Sequence, residues 1–395
     1  MDDQVKVNSL ILASAAMWAT VAHAQSSVTL YGLLDAGVTY TNNQHVSGTT
    51  GHSNVQATSG NLNSDRWGLR GSEDLGSGMH AIFTLENGFS ITNGKLGQGG
   101  RMFGRQAWVG LATDQYGSVT LGRQYDSVVD YLGPMSLTGT QYGGTQFAHP
   151  FDNDNLDNSF RVDNAIKYAS ANYSGLKFGG VYGFSNQAGA FANNRLYSLG
   201  ASYNTGPLNV AAAYMEINQP GVNSGGALDG TSTSADAPFT AQRQRVWGAG
   251  ANYSFGAATV GLVWTQTKLD SATTISTGSP SSPTKFGNAS GLSFNNYELN
   301  ARYDLTPAWR ISGAYTFTDG RLSNATTNAK PKWNQISLLS DYALSKRTDL
   351  YLEGVYQHVN GASGTVLNGA LINGIGAQSA TNTQVAVTAG IRTRF

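Results

Sequence analysis

The sequence predicts an all-β fold, a 16-stranded antiparallel transmembrane β-barrel, and three observations carry that prediction. Side chains alternate between apolar and polar with a period of two along most of the chain. Short turns and long Gly/Ser/Asn/Thr loops follow one another in strict succession between the alternating segments. After residue 24 no run of 18 apolar residues occurs, which removes any helical membrane span. The C-terminal segment shows the alternation without a break: Val385, Val387, Ala389, Ile391, Thr393 and Phe395 on one face, Ala386, Thr388, Gly390, Arg392 and Arg394 on the other. One face suits lipid and the other suits water.

Residues 1–24 read as a secretory signal peptide, with an apolar stretch from Leu10 to Val21 and the small-residue pattern Ala22-His23-Ala24 before Gln25; residues 25–395 then form the barrel domain. The first strand, 27–41, sets Val28, Leu30, Leu34, Val38 and Tyr40 against Thr29, Tyr31, Asp35 and Thr39. Strands follow at 61–72, 78–90, 102–113 and 116–124, the last two joined by Asp114-Gln115. After a long connection come 160–173 and 175–186 around Ser174-Gly175, then 194–205 and 207–218 around Thr205-Gly206. Strands 243–255 and 257–269 meet at Gly256, and 292–305 and 308–319 at Thr306-Pro307. Tyr297, Leu299, Ala301 and Tyr303 there oppose Glu298, Asn300, Arg302 and Asp304, a face that no soluble core accepts. Strands 331–344, 347–360 and 382–395 complete the set, with Ser345-Lys346 as the last tight turn.

About ten residues of tilted strand span the hydrocarbon, and closure satisfies every backbone N–H and C=O. Sixteen strands also make a bore too wide for wall side chains to fill, so the architecture implies an aqueous channel. A soluble propeller or sugar-binding sandwich would share the Gly-rich turns, but a propeller would repeat a blade motif. The apolar face instead carries aromatics near strand ends, at Tyr40, Tyr168, Tyr203, Tyr253, Tyr303 and Phe395, where an interfacial girdle belongs. Charged residues make up 12% of the chain and balance to zero, which argues against a nucleic-acid partner. There is no cysteine, and the histidines His23, His45, His52, His80, His149 and His358 are scattered without metal-ligand spacing, so no metal or cofactor is expected.

Several blocks in order resemble the Gram-negative general diffusion porins, in their beta-proteobacterial branch: Ser27-Val28-Thr29-Leu30-Tyr31-Gly32, Arg66-Trp67-Gly68-Leu69-Arg70-Gly71-Ser72-Glu73-Asp74-Leu75-Gly76, Leu85-Glu86-Asn87-Gly88-Phe89, Phe103-Gly104-Arg105-Gln106-Ala107-Trp108-Val109-Gly110-Leu111, Leu121-Gly122-Arg123-Gln124, Leu344-Ser345-Lys346-Arg347-Thr348-Asp349-Leu350-Tyr351 and Gly390-Ile391-Arg392-Thr393-Arg394-Phe395. The resemblance covers the whole mature chain. It implies an outer-membrane homotrimer of barrels surrounded by lipid, each passing small hydrophilic solutes down their gradients. It further implies that the longest loop, about 126–159, folds inward and narrows the bore. The terminal Phe395 is the expected assembly signal for the outer-membrane assembly machinery.

A pore discriminates by width and by the field at its narrowest ring. Parity turns Arg66, Arg70, Arg105, Arg161 and Lys167 toward water, and the positions that match the family's basic constriction wall are Arg66, Arg105 and Arg161. Glu86 and Asp35 are candidate braces for them. Arg123 shares parity with Val119 and Leu121, which points it outward or to the root of the inserted loop. The opposing acidic wall would come from Asp126, Asp130, Asp152, Asp154 and Asp157. No acidic residue lies between Pro134 and Pro150, so the wall's acidic half is thin and anions are favoured. Asp152, Asp154 and Asp157 also invite a calcium reading, although the loop lacks the Gly and distal Glu of a helix-loop-helix site. Competing functions are a substrate-specific channel with Tyr125, Tyr131, Tyr142 and Phe147 as a sugar slide, a surface adhesin or phage receptor, and a barrel hydrolase.

Overall fold

The computed structural model describes residues 27–47, 50–220, 225–229, 237–276 and 284–395; the expected signal peptide lies outside them. Among the described residues, nineteen β segments form one closed antiparallel sheet. They are β1 (Ser27–Ser47), β2 (Thr50–Ser59), β3 (Arg66–Gly76), β4 (Met79–Gly88), β5 (Gln106–Thr113), β6 (Gly117–Gln124), β7 (Val162–Ala169), β8 (Leu176–Gly183), β9 (Leu196–Thr205) and β10 (Leu208–Asn218). There follow β11 (Phe239–Thr240), β12 (Arg243–Phe255), β13 (Ala258–Ile275), β14 (Thr284–Asp304), β15 (Trp309–Ser323), β16 (Asn328–Ala329), β17 (Lys332–Ala343), β18 (Thr348–Asn360) and β19 (Thr383–Arg394). Three pairs, β2 with β3, β11 with β12 and β16 with β17, are single wall strands interrupted by a few residues, because both members pair with the same neighbour. The wall therefore has sixteen strands, as the sequence pattern requires.

Closure is made by β1 and β19, in register from Leu33 opposite Arg394 to Thr41 opposite Ala386. Gly32 and Phe395 then exchange both backbone hydrogen bonds, at 3.0 and 3.1 Å. The Phe395 ring lies where a Cβ on residue 32 would stand, so the glycine is what lets the terminal aromatic seat against the first strand. Two-residue hairpins with left-handed Gly206 and Gly256 join β9 to β10 and β12 to β13, the tight connections expected at the periplasmic end.

The outer surface is apolar. Val28, Leu30, Leu199, Leu262, Leu299 and Leu338 are all exposed along it, and Tyr168, Tyr203, Tyr253, Tyr303 and Phe395 are exposed near strand ends, where the girdle was expected; Tyr40 is exposed too but lies within β1, which runs on to Ser47.

Two features of the wall differ from the sequence reading. The strand expected at 61–72 starts at Arg66; residues 60–65 are a looped-out insertion pinned by Asp35, whose Oδ2 accepts the backbone N–H groups of Leu62 at 2.8 Å and Asn63 at 2.9 Å. β1 with β2, and β13 with β14, continue well past the membrane as projecting hairpins. Those extensions are rich in Ser, Thr, Asn and Gly, which blurs the alternation, although Ala272, Ile275 and Leu292 on one face are buried with Phe239 and Leu367.

The interior differs more. Residues 126–159 lie against the inward-facing side chains of the wall. Val128, Leu132, Met135, Leu156 and Phe160 bury themselves against Val181, Leu196, Met215, Val246 and Val263. Toward the extracellular end Phe151 packs on Phe294 and Trp333, with ring centroids 6.1 and 6.0 Å apart, and Leu367 and Leu371 from the last long loop close over them. Asn373 of that loop donates to the carbonyls of Ala148 at 3.2 Å and His149 at 2.8 Å. Chain thus occupies much of the lumen along β8 to β18.

Replacing Gly32 with Val should displace the Phe395 ring and weaken closure by about 1–3 kcal/mol, as overpacking does. Placing Lys at Leu338, 63% exposed on the outer face, should cost about 2–4 kcal/mol if mid-membrane. Both effects are read as a smaller heat-modifiable folded fraction on gel electrophoresis after refolding into vesicles; unchanged folding of both variants would contradict the assigned outer face and seam.

Candidate functional site

Opposite the filled half, β3, β4, β5 and β7 bring inward-facing cations together. Arg66 opens β3, Arg105 immediately precedes β5 and Arg161 immediately precedes β7, so each guanidinium leaves the wall at the level where residues 126–159 are nearest. Arg105 is almost fully buried: its Nε donates to Glu86 Oε1 at 2.8 Å and its Nη2 to the Tyr125 hydroxyl at 3.0 Å. Glu86 also accepts from the hydroxyls of Tyr125 at 3.2 Å and Tyr31 at 3.0 Å. Arg66 Nε donates to the Ser64 carbonyl at 2.9 Å, within the insertion between β2 and β3. Arg161 lies over the Tyr125 ring, 5.7 Å from its centroid.

These three arginines line one cavity of about 300 Å³, with Tyr125, Thr138, Thr140, Gln141 and Asp157 among the remaining walls. One of the Arg105 nitrogens, Nη1, is buried without a hydrogen-bond partner among the described residues. A buried guanidinium donor left unsatisfied in a cavity wall is a place for an acceptor.

The other expected cations stand elsewhere. Arg70 is exposed one step further along β3, stacked on Tyr31 at 5.3 Å, and does not line this cavity. Lys167 is turned to the inserted segment, where it pairs with Asp130 and donates to the Tyr125 carbonyl at 3.1 Å. Arg123 does not face outward. The β6–β7 ladder breaks between Gly122 and Gln124, where Arg123 alone faces Asp163 and Asn164 of β7, and the Arg123 side chain is buried, donating to the Gly104 carbonyl at 2.8 Å and pairing with Asp163 at 2.6 Å. It sits at the root of the inserted segment. Parity counting failed there because regular pairing stops at this point, with one extra residue in β7 opposite Arg123.

Of the five carboxylates expected on the acidic wall, Asp157 alone lines the cavity. Asp126 instead accepts the Val128 N–H and the Asn155 amide, both at 2.7 Å, and its burial pushes it up to about 6. Asp152 accepts the backbone N–H groups of Asp157 at 3.0 Å and Ser159 at 2.9 Å, and burial with the neighbouring Asp154 charge raises it to about 6. These groups shape the segment from within and are engaged by protein donors. For Asp157, burial and the Asp152 charge outweigh a Thr138 hydrogen bond at 3.1 Å and raise it to about 8. At neutral pH the cavity therefore carries little negative charge.

What fastens the segment across the bore is a histidine the sequence did not mark. His149 Nδ1 donates to Asp154 Oδ2 at 2.6 Å and Nε2 to Glu298 Oε2 at 3.0 Å, all of them buried. Asp154 also accepts from Thr265 at 2.5 Å, and Glu298 from the Ser136 hydroxyl at 2.6 Å and the Leu137 N–H at 3.1 Å. Burial alone would lower the imidazole, but the two carboxylates overcome it and hold His149 at about 10, so both ring nitrogens carry protons. Asp154 lies five residues from His149, but no local motif could have revealed the Glu298 partner, which is 149 positions away. Nor do the aromatics form a slide. Tyr131 and Phe147 are buried, and Tyr142 is held between the guanidinium groups of Arg302 at 4.3 Å and Arg310 at 4.6 Å.

A closed sixteen-stranded sheet with an apolar exterior, an inward-folded segment and a polar passage beside it defines a transmembrane channel of the outer-membrane type. The model of the Gram-negative porin family matches residues 10–362, and the chain belongs to that family. It is similar to an outer membrane porin protein of Bordetella pertussis, 33% identical over 89% of this chain and 94% of that one. It is also similar to outer membrane porin protein 32 of Delftia acidovorans, 28% identical over 98% of this chain and 99% of the relative. Among solved structures, the anion-selective porin from Comamonas acidovorans superposes with a TM-score of 0.70, 26% identity, and coverage of 94% and 100%. The protein is thus an outer-membrane porin of a Gram-negative bacterium, a water-filled channel for ions and small hydrophilic solutes.

His149→Leu should leave Asp154 and Glu298 buried without their cation, destabilising the attachment of the segment by about 3–5 kcal/mol. Because the folded-state value is raised, the wild-type contribution is complete below about 6.5, the unfolded value, and is lost as pH rises through about 10. The check is the pH dependence of limited proteolysis within 126–159, which should rise above pH 9 in the wild type and be high throughout in the variant.

Proposed function

We propose that this porin is a passive, modestly anion-preferring homotrimeric channel with no catalytic activity, whose selectivity is set where residues 126–159 face Arg66, Arg105 and Arg161. The observation that carries the reading is the charge balance of that cavity, three guanidinium groups against Glu86, which Arg105 already engages, and a largely protonated Asp157. At ~4 Å a unit pair is worth about 1 kcal/mol in water and more between low-dielectric walls, enough for a several-fold preference and not for exclusion of cations. Glu86 does not cancel the field. It holds Arg105 in place, and a single carboxylate among three cations leaves the wall positive. The trimer form of OmpT of Vibrio cholerae and the printed anion selectivity of the Comamonas acidovorans porin are in keeping with this reading. Tyr142 and Phe147 are occupied in packing, which favours general diffusion over a substrate-specific sugar path.

Reversal potentials in planar bilayers under a salt gradient test it. The wild type should conduct in steps that come in threes and favour anions at pH 7. Arg66→Gln with Arg161→Gln, which spares the buried Arg105 and Glu86 pair, should bring the anion-to-cation permeability ratio close to one. Cation-preferring wild-type steps, or an unchanged ratio in the double variant, would remove the basis of the proposal. Raising pH from 7 to 9 ionises Asp157, so the wild-type anion preference should fall across that interval, whereas Asp157→Asn should hold it level.

A further inference from the structure

A second polar cavity, of about 180 Å³, opens at the short-turn end of the lumen, on the periplasmic side of residues 126–159. The turn between β14 and β15 contributes Pro307 and Ala308, the turn between β17 and β18 contributes Ser345 and Lys346, and the end of β19 contributes Arg392 and Arg394. With Arg310, its lining holds four cations against the carboxylates of Asp341 and Asp349.

The cations have different duties. Arg392 is 1% exposed and its donors are committed: Nε to Asp349 at 2.9 Å, Nη1 to Asn63 Oδ1 at 2.6 Å and to the Gln141 carbonyl at 3.1 Å, Nη2 to Asp341 at 3.2 Å. It fastens the tip of the inserted segment to the wall. Arg394 shares Asp349 at 2.8 Å and makes only a long 3.4 Å contact to Gln141 Oε1, with its side chain 31% exposed. Lys346 is exposed and makes no ion pair among the described residues. Arg310 pairs with Asp304 and stacks on Tyr142 at 4.6 Å. Asp341, through Oδ2, and Asp349 are thus drawn onto Arg392 and the near side of Arg394, and Asp304 onto Arg310, so the uncommitted charge is that of Lys346, with the solvent-facing parts of Arg394 and Arg310 beside it.

Gln141 lines this cavity and also the one that holds Arg66, Arg105 and Arg161. The two basic spaces are therefore neighbours across one side chain. We propose that the periplasmic cavity is a second subsite for small oxyanions such as inorganic phosphate, formed by Lys346, Arg394 and Arg310, and that an anion leaving the first cavity passes Gln141 to reach it. The proposal rests on the reading of the first cavity as an anion path. Two adjacent weak sites suit conduction, because each must hold an ion loosely enough to release it to the next.

The test is exchange broadening of the phosphorus resonance of inorganic phosphate on the full-length trimer in detergent. Lys346→Gln with Arg394→Gln should reduce the broadening by about half, Arg66→Gln with Arg161→Gln should remove a comparable share, and the fourfold variant should abolish it. Lys346→Gln alone, on an exposed turn, should weaken it in the same direction while leaving the heat-modifiable trimer intact. Broadening unchanged by both the Lys346 and the Lys346/Arg394 substitutions would overturn the second subsite. Broadening lost with Lys346 and Arg394 but insensitive to Arg66 and Arg161 would support the subsite and overturn the first cavity's role.

Discussion

Lipid offers no hydrogen-bond partner, so each backbone N–H and C=O within the membrane must find one in the chain itself. That constraint is met by the pairing of β1 with β19, where Leu33 to Thr41 meet Arg394 to Ala386 and the edges of the sheet disappear. Seating Phe395 against Gly32 completes the seam at the periplasmic end. Once the sheet is closed, the apolar side chains must lie outside and the polar ones inside, and the number of strands sets the width of the bore.

Sixteen strands enclose more space than their own side chains can occupy, and in this protein the chain fills much of it. Residues 126–160 and the last long loop occupy much of the space beside β8 to β18, burying Phe151, Leu156, Phe160 and Leu371 against inward-facing Phe294, Trp333 and Met215. The passage is displaced toward β3, β4, β5 and β7 as a result. Its shape depends on a buried polar attachment, the imidazolium of His149 between Asp154 and Glu298, at a point where apolar packing alone would not fix one position.

The electrostatics follow from that displacement. Carboxylates buried under the segment are raised by desolvation, so Asp157 contributes little negative charge at neutral pH, whereas arginines keep theirs under the same burial. A chain whose formal charges balance can therefore present a positive wall. Tyr125 ties the wall to the segment, since its hydroxyl binds both Arg105 and Glu86 while its ring lies under Arg161.

By itself the sequence determined the barrel, because two solvents on two faces impose a period of two that survives in the residues: Val385 to Phe395 and Tyr297 to Asp304 can be assigned to their faces without coordinates. It also marked Arg66, Arg105 and Arg161, since polar parity and block resemblance are local properties of a strand. Only tertiary structure decided that Asp126, Asp152 and Asp154 brace the segment while Asp157 faces the cavity, that Arg123 turns inward at a bulge, and that His149 reaches Glu298. Those outcomes depend on where a non-repeating segment comes to rest across the bore, on turns within it and on contacts such as that of His149 with Glu298, 149 positions away, and no periodicity records them.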